Sequence, residues 1–405
     1  MSRHAASGAR IDRALAEWLL PTVVLVLGPA AMVAGLMFPP ATLYGPNAAL
    51  GIWIPLTLIL FSGVALAVQI LRGNELTTAL RSTVLYLAVL LYGAVSLTWS
   101  PNAGEGVRVL LQLSVLPAVF IAAWRIHLDR RAREWVRWGA TGYIGVIGLL
   151  FLTAWTTGWI PRSDLSRLMG IVTLGLPPAF VLATYALRSA KRTLLVGGGV
   201  LLIALAADAR MVALVLGALL LFSPSLDVRL PVRLAGLAAA VIVVLLIVTG
   251  PRFETRWFFF DQGGSVSGVI GTVEDVIRGR LDVWTDLVNR CSETWLRGNG
   301  LGASNTWGSE VDPTFPEPHN EYVRTFCDLG APAAGVFWLF FLVAGVRAMQ
   351  RAIGQLQPSA SGIAFLQLLA ALLFLALTDI PLTATAQFLA PLALVLAWSE
   401  HAHTL

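Results

Sequence analysis

The chain has 405 residues, of which 57% are hydrophobic and 13% are charged. A soluble domain carries about 25% charged residues, so this composition excludes a soluble globular protein and indicates a chain that is solvated by lipid. The formal net charge of +5 does not indicate a nucleic-acid partner, because the arginines lie in short segments between apolar blocks, where positive charge sets the orientation of membrane proteins.

Apolar blocks of about 20 residues, the length that crosses a hydrocarbon core, recur along the chain. The first block, from Trp18 to Phe38, is too long for the core of a signal peptide and no small-residue cleavage site follows it, so we interpret it as a retained helix. Two short blocks flank Asp208 and Arg210 and are expected to be tilted or broken there. The pattern predicts about twelve spans, at residues 18–38, 48–70, 82–98, 107–124, 138–157, 168–187, 193–207, 211–222, 234–249, 328–346, 361–378 and 382–398.

The distribution of basic residues predicts the orientation of these spans. Arginine and lysine are concentrated in alternate loops, beginning with Arg3, Arg10 and Arg13 near the N-terminus, and loops of this kind face the cytoplasm. The sequence therefore predicts an all-α multi-pass membrane protein with both termini in the cytoplasm. The expected organisation is a transmembrane bundle over residues 1–249, an outer loop domain over 250–327 and three further spans over 328–405.

The long outer loop has a sequence pattern of its own. Apolar residues recur at helical spacing from Thr272 to Trp295, which predicts an amphipathic helix packed against the bundle or lying at its surface. A glycine run, Gly298–Gly302, follows, and such a run ends helices and lets backbone approach another segment closely. We therefore expect this loop to be folded.

His319 is the only one of the five histidines that falls on the outer side, in the segment Glu317–Tyr322 just before a span. An imidazole can take or release a proton near neutral pH, so at the membrane surface it could accept the proton of an incoming hydroxyl group. The alternative is a structural histidine that caps the following helix. The residue by itself favours the structural alternative, and the nearby arginines shift the balance toward catalysis.

Three arginines on the outer side are candidates for binding an anion. Arg280 lies on or beside the apolar stripe of the loop helix, where its guanidinium group either meets an anion or extends along the stripe to solvent. Arg210 lies between two apolar blocks, either as an anion-binding group or in a local pair with Asp208. Arg167 lies near Trp159 in a segment typical of an ordinary interfacial turn, and is the weaker candidate. Because a planar guanidinium suits phosphate oxygens, the expected anion is phosphate-like.

The two cysteines, Cys291 and Cys327, both fall in the outer part of the chain. They form neither a CxxC motif nor a Cys/His cluster, so the sequence does not support a structural zinc site. The sequence leaves open whether these two cysteines form a disulfide or are two unpaired, buried thiols. The carboxylates of the loop, such as Asp282 and Asp286, are interpreted as solvated, and we expect neither a metal nor a cofactor.

Several short motifs of the outer part together resemble those of the O-antigen ligase and polymerase superfamily. His319–Tyr322, followed by Asp328–Pro332, looks like the family's His-Asn motif with an aromatic residue and a Leu-Gly before a membrane span. Arg280–Trp284 and Leu296–Gly302 are similar to its Arg-x-x-x-Trp and Gly-x-Gly segments. The motifs occur in the family's order, and the twelve-span layout also matches, so the resemblance covers most of the chain. One departure is Ala209, since family members often have serine before the arginine there.

The resemblance implies a membrane glycosyltransferase fold in the bacterial inner membrane, with the active site on the periplasmic side. It implies action on a polysaccharide carried by undecaprenyl pyrophosphate. The resemblance gives roles to His319 as the catalytic base and to Arg280 and Arg210 as the pyrophosphate-binding arginines. The predicted reaction transfers O-antigen to a hydroxyl of lipid A–core in lipopolysaccharide biosynthesis, with inversion and without a metal. Asn320, Arg167 and Tyr322 are predicted as further substrate-binding residues.

Two alternative functions stay open. A polymerase, which joins one lipid-linked O-antigen or exopolysaccharide repeat to another, uses the same donor and has the same motifs. A transporter of lipid or glycan, such as a flippase, is expected to have paired charges near the bilayer midplane and internal repeats. Here the charges cluster at the outer edge and the sequence has no internal repeat, so surface chemistry is favoured over passage.

Overall fold

The computed structural model of the chain describes residues 20–24, 26, 49–71, 77–124, 130–157, 173–185, 189–207, 209–226, 283–311, 318–354, 360–377, 381–382 and 384–401. These residues form helices and turns, and none of them lies in a β-strand. The helices in chain order are α1 (Ala49–Leu71), α2 (Thr77–Ser96), α3 (Ala103–Ala123), α4 (Arg130–Thr157), α5 (Leu176–Ala183), α6 (Ala190–Ala206), α7 (Arg210–Leu221), α8 (residues 283–292), α9 (Ala303–Val311), α10 (Glu321–Gly354), α11 (Ala360–Leu375), a π-helical turn (Thr385–Leu389) and α12 (Ala390–His401).

Several of these helices have the properties of membrane spans. Within the described residues, five helices are long and apolar enough to cross a membrane, and they lie in α1, α2, α3, α4 and α10. The faces of these helices that point away from the bundle carry large, exposed apolar side chains, such as Leu60 (68% exposed) and Trp138 (72% exposed). Such faces are stable only where lipid surrounds them. The prediction of an all-α protein with several apolar helices able to span a membrane is therefore confirmed for this part of the chain.

Some helices differ in length from the predicted spans. The span predicted at 328–346 is part of the longer helix α10, which begins at Glu321 because Asn320 caps it there. The span predicted at 168–187 is represented by the 8-residue helix α5. The predicted span at 234–249, and the greater part of that at 18–38, lie outside the described residues.

The last helix forms the centre of the bundle. Every residue of α12 from Leu392 to Trp398 is buried, as expected for a helix that is apolar on all sides. It packs against α3 and α11, while α1 packs on α3 and α2 packs on α10. Tyr86 joins three of these helices, because its hydroxyl donates to the carbonyl of Leu113 on α3 at 3.0 Å and its ring contacts Phe340 of α10. Tyr86 thereby holds α2, α3 and α10 together.

Two glycines let the outer loop and α10 meet backbone to backbone. Gly298 (φ +66°) and Gly330 (φ +76°) both have left-handed backbone, and a Cβ on Gly298 would lie 2.4 Å from the amide nitrogen of Gly330. Left-handed backbone and such close approach both favour glycine. Gly330 is also the kink in α10, so the loop lies in the bend of the helix. The prediction that the glycine run lets backbone come close to another segment is confirmed.

Candidate functional site

The turn that precedes α10 holds His319 in an uncommon conformation. His319 has φ +47° and is, within the described part of the chain, the one residue other than glycine with positive φ. A left-handed residue other than glycine carries about 1–3 kcal/mol of strain, and such residues cluster at functional sites. The side chain is partly exposed. The turn therefore presents the imidazole in a backbone geometry that the surrounding structure must enforce.

Two contacts enforce this geometry, one on each side of His319. On the N-terminal side, the indole Nε1 of Trp284 in α8 donates a hydrogen bond of 2.6 Å to the carbonyl oxygen of Pro318. On the C-terminal side, the Oδ1 of Asn320 accepts from the amides of Tyr322 and Val323, each at 3.0 Å. This pattern is a helix N-cap, so the capping role belongs to Asn320 rather than to His319.

Tyr322 contacts both α11 and the later part of α10. Its hydroxyl donates to the carbonyl of Leu373 in α11 at 3.0 Å, and its ring lies 4.4 Å from the indole of Trp338 in α10, centroid to centroid. The first contact holds the first turn of α10 against α11, and the second holds it against the part of α10 that follows the Gly330 kink. The substrate-binding roles predicted for Asn320 and Tyr322 stay predictions, beside these structural roles.

The first turns of α10 carry a row of buried charges. Glu321 (0% exposed), Arg324 (2%) and Asp328 (1%) follow one another on a single helix face. Nη1 of Arg324 lies 3.3 Å from Oε2 of Glu321, and Oε1 of Glu321 accepts from the amide of Leu382 at 3.0 Å. A buried charge is tolerated only when it is paired and hydrogen-bonded. Glu321 thus connects the His319 turn with the segment that leads into α12.

Asp328 connects the same helix to the glycine run. Its Oδ2 accepts from the amide of Gly302 at 3.0 Å and its Oδ1 from the amide of Ser304 at 2.9 Å. These amides belong to the N-terminus of α9, where a carboxylate is favoured by the free N–H groups and the helix dipole. The carbonyl of Asp328 also accepts from the amide of Gly300 at 3.0 Å. One residue of α10 therefore holds both the glycine run and the start of α9.

A second buried ion pair lies on α3, between Glu105 and Arg108. The Nδ2 of Asn305 in α9 donates to Oε1 of Glu105 at 2.7 Å. Since the neighbouring residue Ser304 bonds to Asp328, the first turn of α9 joins the carboxylates of α3 and α10. Arg108, at the start of the span predicted at 107–124, is a buried residue of α3.

A disulfide links the loop helix to α10. Cys291 of α8 and Cys327 of α10 are bonded, with their Cα atoms 5.1 Å apart, which answers the question that the sequence left open. Around the bond lies a small apolar cluster that includes Leu287 of α8 and Phe326 of α10. Leu287 and Cys291 belong to the predicted apolar stripe, and both are buried. Residues 283–292 of the predicted loop helix are therefore helical and packed, as the stripe indicated.

The described part of the chain does not include the side chains of the three predicted anion-binding arginines. Arg280 and Arg167 lie outside the described residues, and of Arg210 the structure describes only that it begins α7. Within the described part of the chain, no group of three His, Cys, Asp or Glu side chains is arranged to hold a metal ion. The site as described thus consists of the His319 turn, the Trp284 contact and the buried charges behind them.

The buried charges were not predicted from the sequence, although their spacing along α10 indicates them. Glu321, Arg324 and Asp328 are spaced three and four residues apart, so one helix face carries all of them. A row of charges on a helix that is otherwise apolar is expected to face protein rather than lipid.

We compared the chain with known proteins. No protein-family model matches it. No curated protein shows significant sequence similarity to it.

Proposed function

We propose that this chain is a membrane glycosyltransferase of the O-antigen ligase type, which moves a polysaccharide from undecaprenyl pyrophosphate to a hydroxyl group of lipid A–core. One observation carries the proposal: His319 has a left-handed backbone, and Trp284 and Asn320 hold the residues on either side of it. Trp284 and His319 come from two of the motifs that resemble the ligase family. The hydrogen bond from Trp284 to Pro318, the residue before His319, is the kind of support that a preorganised catalytic base requires.

In the proposed step, the imidazole of His319 takes the proton of the acceptor hydroxyl while the hydroxyl oxygen attacks the anomeric carbon of the donor. The bond between that carbon and the pyrophosphate oxygen breaks, and undecaprenyl pyrophosphate leaves with the bonding electrons. Attack from the face opposite the leaving group inverts the anomeric centre. General-base help of this kind is worth about 10²–10⁴ in rate.

The leaving pyrophosphate needs positive charge, and we assign that role to Arg280 and Arg210. A guanidinium group can stabilise the charge that develops on phosphate oxygens without a metal ion. Arg280 precedes Trp284 by one helical turn in the sequence, which supports a position near the His319 turn. Asn320, Arg167 and Tyr322 are proposed to contact the glycan or its carrier.

The proposal includes a finer topology than the described helices establish. About twelve spans, both termini in the cytoplasm and an active site at the periplasmic surface of the inner membrane follow from the pattern of apolar blocks and basic loops. The disulfide between Cys291 and Cys327 supports an outer position for this region, since disulfides persist in the oxidising periplasm and are rare in the cytosol.

The test is a transfer assay with the purified full-length protein, a lipid-linked glycan and one of two acceptors. We expect product with lipid A–core, at the same rate with and without EDTA, and no product from the Arg280→Ala variant. Product only with a second lipid-linked repeat would show the polymerase alternative instead. No product with either acceptor would contradict both.

A further inference from the structure

A groove lies between the N-terminal part of α2 and the C-terminal parts of α10 and α12. Arg81 of α2 and Arg347 of α10 are part of its wall. Arg347 follows the kink at Gly330 by 17 residues along α10, and at a rise of about 1.5 Å per residue this is roughly 25 Å. The hydrocarbon core of a bilayer is about 30 Å thick. When the Gly330 kink lies at one membrane surface, this groove therefore lies near the other.

The charge around the groove is positive. The third arginine nearby, Arg351, is paired with Glu400 and also donates to the carbonyl of Ser399 at 3.2 Å. Arg81 and Arg347 are exposed, and neither pairs with a carboxylate of the described residues. Two guanidinium groups on different helices therefore face one groove, and among its described residues the one carboxylate, that of Glu400, is already paired with Arg351.

Below the arginines the groove is apolar. Val84 and Leu85 of α2 and Val343 of α10 line it, and the neighbouring Leu342 is 62% exposed on the outer face of α10. The groove has a cavity volume of about 70 Å³ and is partly open to its surroundings. Cations at the surface and an apolar floor toward the bilayer match the two parts of a phospholipid, its phosphate and its acyl chain.

We propose that this groove binds one anionic phospholipid of the leaflet opposite the Gly330 kink. The lipid phosphate lies between Arg81 and Arg347, and one acyl chain lies along Val84 and Val343. Arginine suits phosphate oxygens because its donors form a planar fork, and basic pockets between membrane helices are known to bind such headgroups. The proposal does not depend on the reaction proposed above.

Arginines near a membrane surface can also serve only to orient a protein in the bilayer. The orienting role depends on the charge of a loop and does not require a groove. Any pair of basic residues at the same membrane surface can therefore serve it. Lys191 and Arg192, both exposed at the start of α6, are such a pair and supply a matched control.

The experiment measures lipid binding to the purified full-length protein in detergent by native mass spectrometry. Phosphatidylglycerol and phosphatidylcholine with identical acyl chains are the two probes. We expect one phosphatidylglycerol bound in preference to phosphatidylcholine, and about fivefold weaker binding for each of Arg81→Ala and Arg347→Ala, since one basic side chain near an anionic lipid contributes about 1 kcal/mol. Lys191→Ala with Arg192→Ala should leave the affinity unchanged.

Three results would overturn the proposal. The first is equal affinity for the two lipids in the wild-type protein. The second is unchanged phosphatidylglycerol binding in both single variants, Arg81→Ala and Arg347→Ala. The third is an equal loss in the Lys191/Arg192 control, which would show that general surface charge, and not the groove, attracts the lipid.

Discussion

The indole Nε1 of Trp284 lies 2.6 Å from the carbonyl oxygen of Pro318, to which it donates a hydrogen bond. Pro318 directly precedes His319, and 34 residues separate the two bonded groups. This bond connects the loop helix α8 to the turn that holds the proposed base. Because His319 has a left-handed backbone, its position depends on the contacts that hold the turn, and this bond is made by a side chain of the outer loop.

The first prediction concerns Trp284→Phe, which removes the indole donor and keeps an aromatic ring. The Pro318 carbonyl loses its partner, and a lost hydrogen bond is worth about 1 kcal/mol. A base that is less well held should transfer the proton less efficiently. We expect about a tenfold lower transfer rate with little change in the melting temperature.

Trp295→Phe is the matched control, because Trp295 is 51% exposed, and its rate should equal that of the wild-type protein. Equal rates for Trp284→Phe and Trp295→Phe would show that the bond to Pro318 does not position His319.

The second prediction concerns the carboxylate of Asp328. In Asp328→Asn one of the two oxygens that accept from Gly302 and Ser304 becomes an NH₂ group, which faces an amide donor. Hydrogen bonds to a charged group contribute about 1.5–3 kcal/mol, so we expect a loss of at least this size, measured as a lower melting temperature of the protein in detergent.

Asp286→Asn serves as the control for this variant. Asp286 pairs with Arg290 at a half-exposed position, where an ion pair contributes less than about 1 kcal/mol. If the two variants melted at the same temperature, the buried carboxylate would have no special part in holding the glycine run.

Several features around the His319 turn could be predicted from the sequence. The apolar stripe predicted the helix that contains Leu287 and Cys291, because one buried face repeats with the helical period. The glycines at 298 and 302 predicted close backbone contact, because only glycine tolerates it. The His-Asn pair was predicted to lie just before a span, and Asn320 caps the helix that contains this span.

Other features depend on distances between remote segments, which the sequence pattern does not contain. Cys291 and Cys327 are 36 residues apart, and nothing in that interval fixes how near they lie. The contact between Asn305 and Glu105 joins residues that are 200 positions apart. The kink at Gly330 was also not predicted, because a glycine in an apolar helix is compatible with a straight span.

The third prediction concerns the disulfide. Replacing both Cys291 and Cys327 with alanine removes a crosslink that closes a loop of 36 residues, for which the chain-entropy relation gives about 4 kcal/mol. The double variant should melt well below the wild-type protein, and a reducing agent should lower the melting temperature of the wild-type protein alone. Two free thiols per unfolded, unreduced wild-type chain in a thiol titration would contradict the bond.

The fourth prediction compares two glycines of the same region. Gly298→Ala puts a Cβ in a left-handed residue, within 2.4 Å of the Gly330 amide nitrogen, so the loop must move away from α10. The left-handed backbone alone disfavours alanine by about 1–2 kcal/mol. Gly335→Ala, whose Cβ would meet no atom within 4 Å, should be neutral or up to about 1 kcal/mol stabilising in its helix. Melting temperatures measured in detergent decide between these outcomes, and equal effects would contradict the close contact.

The central claim is that His319 acts as the base in glycan transfer, and the initial rate of the purified His319→Ala variant with lipid-linked glycan and lipid A–core tests it most directly. We expect the rate to fall by about 10²–10⁴, with the melting temperature and membrane insertion unchanged. His401→Ala, at the end of α12, should keep the wild-type rate. A His319→Ala protein that transfers glycan as fast as the wild-type protein would contradict the claim.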